Sequence, residues 1–354
     1  MNTNNQEAFL ALVRAGLWEK DVQLLPLDDI DYLRVLTLAE EQSVIGLVAA
    51  GLEHVVDLKP PKEVLLQFIG QTLQLEQRNS AMNSFIEEVV DGMRDADIYA
   101  LLVKGQGVAQ CYERPLWRSS GDIDFFFSKD NYRKAVDFFK ARYSNNKNGG
   151  DYSKETAFYT DQWMIEVHGS LRTCLSSRVD KEIDKVQKDL FYGGNVRSWH
   201  NGKTLTFLPE PTDDVFLVFT HYIKHFYKEG MSLRQVCDWC RLLWRFRDKI
   251  DSQILESRIK RAGLFNEWRA FAAVAVDYLG MPVEAMPMYS SDKKWSRKAD
   301  KIVSYILTGG EWEKIKDTIK VGGIFPMSTL RFLPGILWNV NWLKIKERLF
   351  GNCN

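Results

Sequence analysis

The sequence predicts an α+β chain, a small mixed β-sheet core with helical regions before and after it. Three observations carry that expectation. The 354 residues hold 23 glycines and 10 prolines, fewer than an average usage of about 12% supplies, which favours helix over loop-rich architectures. Apolar residues recur at three and four positions on either side of the middle of the chain. Within the middle, two short apolar runs break that period, Tyr99 to Val103 and Asp122 to Phe127, and each suits a buried strand.

The elements follow in order, and four regions result: helical 1–95, an α/β core 96–208, helical 209–310 and a tail 311–354. From Leu24 to Val56 the pattern predicts two or three short helices, punctuated by Pro26, Gly51 and Pro60-Pro61. A longer amphipathic helix follows, with Met82, Phe85, Ile86, Val89, Val90 and Met93 on one stripe. The first strand stops at Lys104-Gly105. Residues 106–113 fit a brief helix, Pro115 to Gly121 a loop, Asp122 to Phe127 the second strand and 130–143 a helix. Asn145 to Gly150 reads as a turn, and Ala157 to Thr160 with Trp163 to His168 as a hairpin around Asp161-Gln162. Further on, Thr212 is placed to cap a helix with Asp213 and Asp214 in its first turn, and Ser232 with Gln235 forms a capping-box signature. The tail carries Trp338 and Trp342, which suit packing on the helical region or on a partner chain.

Composition excludes several classes. Lysine plus arginine (47) equals aspartate plus glutamate (47), so no basic field exists for extended nucleic-acid binding. Cysteines at 111, 174, 237, 240 and 353 are odd in number and irregular in spacing, unlike a disulfide framework, and favour a reducing compartment. The start lacks a secretory signal pattern and no run reaches the roughly 18 apolar residues of a transmembrane span. A cytoplasmic protein is expected. No phosphate-binding G-x-x-x-x-G-K-[ST] loop occurs, and Gly105-Gln106-Gly107 is not the dinucleotide fingerprint.

The chemistry is expected at the strand ends. Side chains alternate along a strand, so Asp122 and Asp124 share one face and Ile123, Phe125 and Phe127 the other. Two adjacent anions in an apolar strand repel unless a cation or proton compensates, and a divalent metal is the simplest compensator. In Trp163 to His168, Glu166 and His168 share a face with Met164. If that strand neighbours the first, Glu166 completes a three-carboxylate cluster able to hold two metals, and His168 becomes a supporting or substrate-contact group. Lys104, the turn glycine Gly105 and the forked guanidinium of Arg118 can reach an anion from the same end.

These residues, LLVKGQGVAQCYERPLWRSSGDIDFFF followed by IEVHGSL, resemble the nucleotidyltransferase superfamily of DNA polymerase beta-like fold. The likeness is greatest to a poorly characterised bacterial family with K-G, R-x-x-x-D-x-D and E-x-H signatures. His221, His225 and the run Ser232 to Asp238 extend the similarity, which covers roughly residues 60 to 250. The resemblance implies a nucleotidyltransferase-like mixed sheet and Mg²⁺-dependent transfer of a nucleoside monophosphate from an NTP to an unknown acceptor hydroxyl or phosphate. By the same resemblance, Asp122 and Asp124 match the metal-binding pair, Glu166 the third, catalytic carboxylate and Gly105 the phosphate-binding turn; two Mg²⁺ ions are expected there, with Lys104, Arg118 and His168 expected to contact the nucleotide from their place beside it. The superfamily's commonest turn is Gly-Ser; Gln106 follows Gly105 here, so a serine hydroxyl for the triphosphate is missing.

Other patterns have plainer readings. His221 and His225 have metal-ligand spacing but no third ligand, and suit a cleft wall. Cys237 and Cys240 fall inside a predicted helix and read as buried small apolar residues, and Arg234 with Asp238 as an i,i+4 surface pair, with a cleft role left open by the resemblance. Lys293, Lys294, Arg297, Lys298 and Lys301 read as a solvated face. The competing functions are a non-catalytic nucleotide-binding or interaction protein on the same fold, and a D-x-D metal-dependent glycosyltransferase. A haloacid-dehalogenase-like phosphatase is disfavoured by Phe126.

Overall fold

The computed structural model describes residues 3–25, 27, 29–58, 60–143, 155–308 and 321–336. The turn expected at Asn145 to Gly150 and the tail tryptophans Trp338 and Trp342 lie outside them.

Three helices open the chain, α1 (Thr3–Trp18), α2 (Tyr32–Glu41) and α3 (Ile45–Glu53). Asp31 caps α2 by accepting from the amides of Leu33 and Arg34. Helices α1 and α3 meet backbone to backbone: a Cβ on Gly51 would stand 2.1 Å from the Leu12 carbonyl oxygen. The long helix α4 (Lys62–Asp95) then runs beneath the sheet. Its Met82, Ile86, Val89, Val90 and Met93 are buried and Phe85 packs beside them, the stripe read from the periodicity.

The α/β part contains β1 (Ala100–Val103), α5 (Gly105–Ala109), β2 (Asp122–Phe127), α6 (Lys129–Arg142), β3 (Glu155–Tyr159) and β4 (Met164–His168). The sheet order is β1-β2-β4-β3. Strand β2 is antiparallel to β1 and parallel to β4, and β3 and β4 are antiparallel, as the hairpin reading requires. Alternation divides the sheet into two faces. Ile123, Phe125, Phe127, Ile165 and Val167 join α4 and α6 in one apolar cluster, whereas Phe126, on the acidic face of β2, joins a second and larger cluster.

After α7 (Ser177–Tyr192), strands β5 (Val196–Asn201) and β6 (Thr204–Pro209) pair as a separate two-stranded sheet that the sequence reading did not resolve. The helices α8 (Pro211–Lys228), α9 (Leu233–Arg245), α10 (Ser252–Ala262), α11 (Phe265–Ala273) and α12 (Lys293–Leu307) follow, and among the described residues 321–324 and 326–336 are helical too. Thr212 does not cap α8. Pro211 takes the first helical position, where its missing N–H costs nothing, and Glu210 becomes the cap, accepting from the Asp213 amide at 2.8 Å. The capping box of Ser232 and Gln235 opens α9 as expected. Cys237 and Cys240 are buried in that helix.

Helices from both ends of the chain share the larger cluster. Polar contacts cross the same boundary: Arg241 donates to the carbonyls of Leu17 and Cys111 at 2.9 Å each, and Gln42 links the Ile306 carbonyl to the Leu233 amide. This places α8 and α9 against the acidic face of the sheet. Among the described residues, no helix is long and apolar enough to cross a membrane.

Candidate active site

Strand register decides which acidic groups meet. In the parallel pair of β2 and β4, Asp124 stands beside Glu166, whereas Asp122 stands beside Met164. Donor atoms of Asp124, Glu166 and His168 all lie within 4.8 Å of one another. Asp122 lines the same cleft but falls outside that set, two positions earlier on β2 and beside Met164.

Asp124 is the most heavily bonded of these groups. Its Oδ1 accepts from Lys104 Nζ at 2.6 Å and lies 2.7 Å from His168 Nε2, with only 2% of the residue exposed. Burial works to raise this carboxyl, and Lys104 and His168 overcome it, holding the group far below the usual carboxylate range. His168 Nε2 also stands 3.3 Å from Glu166 Oε2. Burial works to lower the imidazole, and its bonds to Asp124 and Glu166 overcome it, so His168 is pushed up to about 9. Lys104 follows the same balance: burial would lower it, and Asp124 and Glu166 hold it above its ordinary value. Asp122 is raised, by burial first and by Asp124 second. The face therefore holds three carboxylates with one ammonium and one imidazolium among them.

The turn after β1 is bent sharply. Lys104 has φ +56° and Gly105 φ +39°, which swings α5 beside Asp122. Gln106 does not replace the absent serine. Its side chain is buried and turned towards α4, where Nε2 donates to Asn79 Oδ1 at 2.9 Å. Asn79 in turn donates to the carbonyls of Leu116 and Arg118 at 2.7 Å each, fixing the loop that leads into β2.

Arg118 lines the cleft, but the fork expected to reach an anion is closed on Asp238 of α9. Nε and Nη2 donate to the two carboxylate oxygens at 2.8 and 2.7 Å, and Nη1 to Ser120 Oγ and the Ser119 carbonyl. Tyr112 adds a third bond to Asp238 at 2.8 Å. The expected Arg234–Asp238 surface pair is therefore replaced by a long-range buried pair, which i,i+4 spacing cannot foretell. Arg234 instead projects into the cleft, a role that the sequence flagged only through its run with Asp238.

The opposite wall comes from α8. His221 and His225 line it, as their reading as cleft residues anticipated, with Nε2 atoms 3.0 Å apart. His225 Nδ1 lies 3.0 Å from Glu229. If that nitrogen donates to the carboxylate, His225 Nε2 is left to accept from His221, so both rings are neutral. The cleft measures about 420 Å³.

A sheet carrying an Asp-x-Asp strand beside a Glu-x-His strand, under a helical cover, is the geometry against which known proteins can be compared. A family model described as "Uncharacterised nucleotidyltransferase" matches residues 28–280, well over half of the chain. The chain belongs to this family. No curated protein and no solved structure matches it. The family span begins near α2 and ends just after α11, so this nucleotidyltransferase unit includes the helices that cover the cleft as well as the sheet.

The donor set also fits a divalent cation. Two carboxylates, Asp124 and Glu166, converge on one point, and the cation already there, the Lys104 ammonium, shows that the point attracts positive charge.

Proposed function

We propose that this nucleotidyltransferase moves a nucleoside monophosphate from an NTP to a hydroxyl or phosphate acceptor, with two Mg²⁺ ions held by Asp122, Asp124 and Glu166. The observation that carries the reading is the register that sets Asp124 beside Glu166 on the cleft face of the sheet. Bound at that point, a divalent ion would supply positive charge to the phosphate oxygens and acidify an acceptor hydroxyl. The chain's own groups do the rest. Glu166 accepts the acceptor proton, the acceptor oxygen forms its bond to the α-phosphorus, and the bond to the bridging oxygen breaks, its electron pair leaving with pyrophosphate. His168 keeps Asp124 and Glu166 oriented by bonding to both. Lys104, tied to Asp124, supplies a fixed positive charge at the end of β1.

The cleft's volume of about 420 Å³ and its cover of α8 and α9 support a small or narrow acceptor over a duplex, in keeping with the balanced net charge. The test is incubation of the purified chain with Mg²⁺ and each labelled NTP, alone and with cell extract. Labelled product and pyrophosphate are expected from the wild type, and loss of both by at least 100-fold, about 2.7 kcal/mol, from Asp124→Asn. Unchanged turnover in that variant would end the assignment.

One observation favours a second reading, nucleotide binding without turnover. The Lys104 ammonium already neutralises Asp124 at 2.6 Å, and no serine follows Gly105. Metal-dependent NTP binding with no pyrophosphate released would select it.

A further inference from the structure

The cleft lacks two of the donors expected for phosphates, since Gln106 follows Gly105 where serine is usual and is turned towards α4, and Arg118 is closed on Asp238. Arg234 is differently placed. It stands in the first turn of α9, whose start is fixed by the capping box and by the Leu233 amide donating to Gln42 at 2.9 Å. Four residues on, the Arg118–Asp238 pair pins the same helix to the loop before β2. The guanidinium therefore rides on a rigid element and lines the cleft together with Asp122 and Gly105.

Its charge is poorly compensated. Nη1 donates to the Ser119 carbonyl at 3.2 Å, and Nε is buried with no partner. Among the described residues no carboxylate closes an ion pair on it: Asp238 is held by Arg118, and Asp122 makes none. Burial and the neighbouring Arg118 push its pKa down, while Asp238 and Asp122 act to raise it. A half-buried guanidinium with no carboxylate partner and spare donors calls for an anion, and its planar donor geometry matches adjacent phosphate oxygens.

We propose that Arg234 binds the leaving phosphates of the nucleoside triphosphate, on the Asp122 side of the carboxylate face. This rests on the nucleotidyl-transfer reading and adds to it the residue that takes the place of the missing serine. As the bond from the α-phosphorus to the bridging oxygen breaks, the electron pair passes to the pyrophosphate, and the Arg234 N–H donors meet the charge that develops there. Lys104 stays with Asp124, so the two cations serve different oxygens.

The probe is inorganic pyrophosphate, titrated calorimetrically into the full chain with Mg²⁺ present. Wild type is expected to bind it. Arg234→Gln should weaken binding by about tenfold or more, and Arg234→Lys should recover part of the loss, with melting temperatures close to wild type in both. Glutamine binding as tightly as arginine would overturn the proposal, as would a wild type that binds no pyrophosphate. Equal weakening in both variants with a matching drop in melting temperature would make Arg234 structural and overturn it too. The parent reading has a separate readout in labelled product. Absence of product with Arg234-dependent pyrophosphate binding removes turnover and leaves this assignment standing, whereas product formation with pyrophosphate binding indifferent to Arg234 does the reverse.

Discussion

Single residues in this cleft are governed by how burial competes with pairing. Asp124 is nearly inaccessible yet ionised, because an ammonium and an imidazolium each stand within hydrogen-bond distance. Across the cleft the balance tips the other way at the histidine pair. His225 is pushed down to about 4, first by burial and then by Lys224, Lys104 and Arg234, with Glu229 acting against them. His221, 3.0 Å away, is also lowered, by burial first. The unfolded imidazole takes up its proton near 6.5, so between about pH 6.5 and 4 the unfolded state binds more protons than the folded one. Stability contributed by the neutral ring is thus present above pH 6.5 and is lost as pH falls. Denaturant midpoints measured across this window should decline in the wild type and decline less steeply in His225→Gln. Parallel profiles for the two proteins would show that the pair does not titrate in this way.

Among the elements, the helices and strands that pattern alone can specify are the ones with a clear period. The stripe of α4 and the alternation of β2 and β4 both emerge where expected, since each face has one environment to satisfy. Strand β5 was missed because it is half-exposed or exposed from Val196 to His200, and β6 because its buried positions begin with Thr204 and Thr206, which leaves little apolar signal. At α8, Thr212 and Glu210 both offered a capping oxygen, and Pro211 decided between them. Helix packing obeys tighter limits than helix formation does. Where α1 and α3 cross, Gly51 abuts the Leu12 carbonyl, and any side chain forces the helices apart. Gly51→Ala should therefore destabilise the chain by about 1–3 kcal/mol despite alanine's better helix propensity. Chemical denaturation would measure it, and a neutral or stabilising change would show that the crossing can relax.

At the scale of the molecule, one buried ion pair joins the sheet to its helical cover. Arg118 and Asp238 are 120 residues apart, and both side chains are less than 10% exposed. Truncating Asp238 leaves a desolvated guanidinium without its counter-charge, a loss of about 3–5 kcal/mol. Asp238→Ala should thus lower the melting temperature sharply, and Asp238→Asn less so, since the amide oxygen retains one acceptor for the fork. Thermal unfolding separates the two, and melting of both variants with wild type would mean that α9 is held in place by its apolar face alone. The basic cluster on α12, by contrast, is mostly exposed, in keeping with its reading as a solvated face: Lys294 pairs with Asp292 at 3.2 Å, and Lys298 reaches the Ile324 carbonyl.

Much of the chemistry could be read from local order. Alternation in two short strands put Asp122 with Asp124 and Glu166 with His168, and motif spacing pointed to the nucleotidyltransferase family. Local order says nothing about register or long-range partners, because these depend on which surfaces meet when the chain is closed. Folding is what set Asp124, and not Asp122, beside Glu166, gave the Arg118 fork to a carboxylate on α9, and left Arg234 facing the cleft with an unpaired charge.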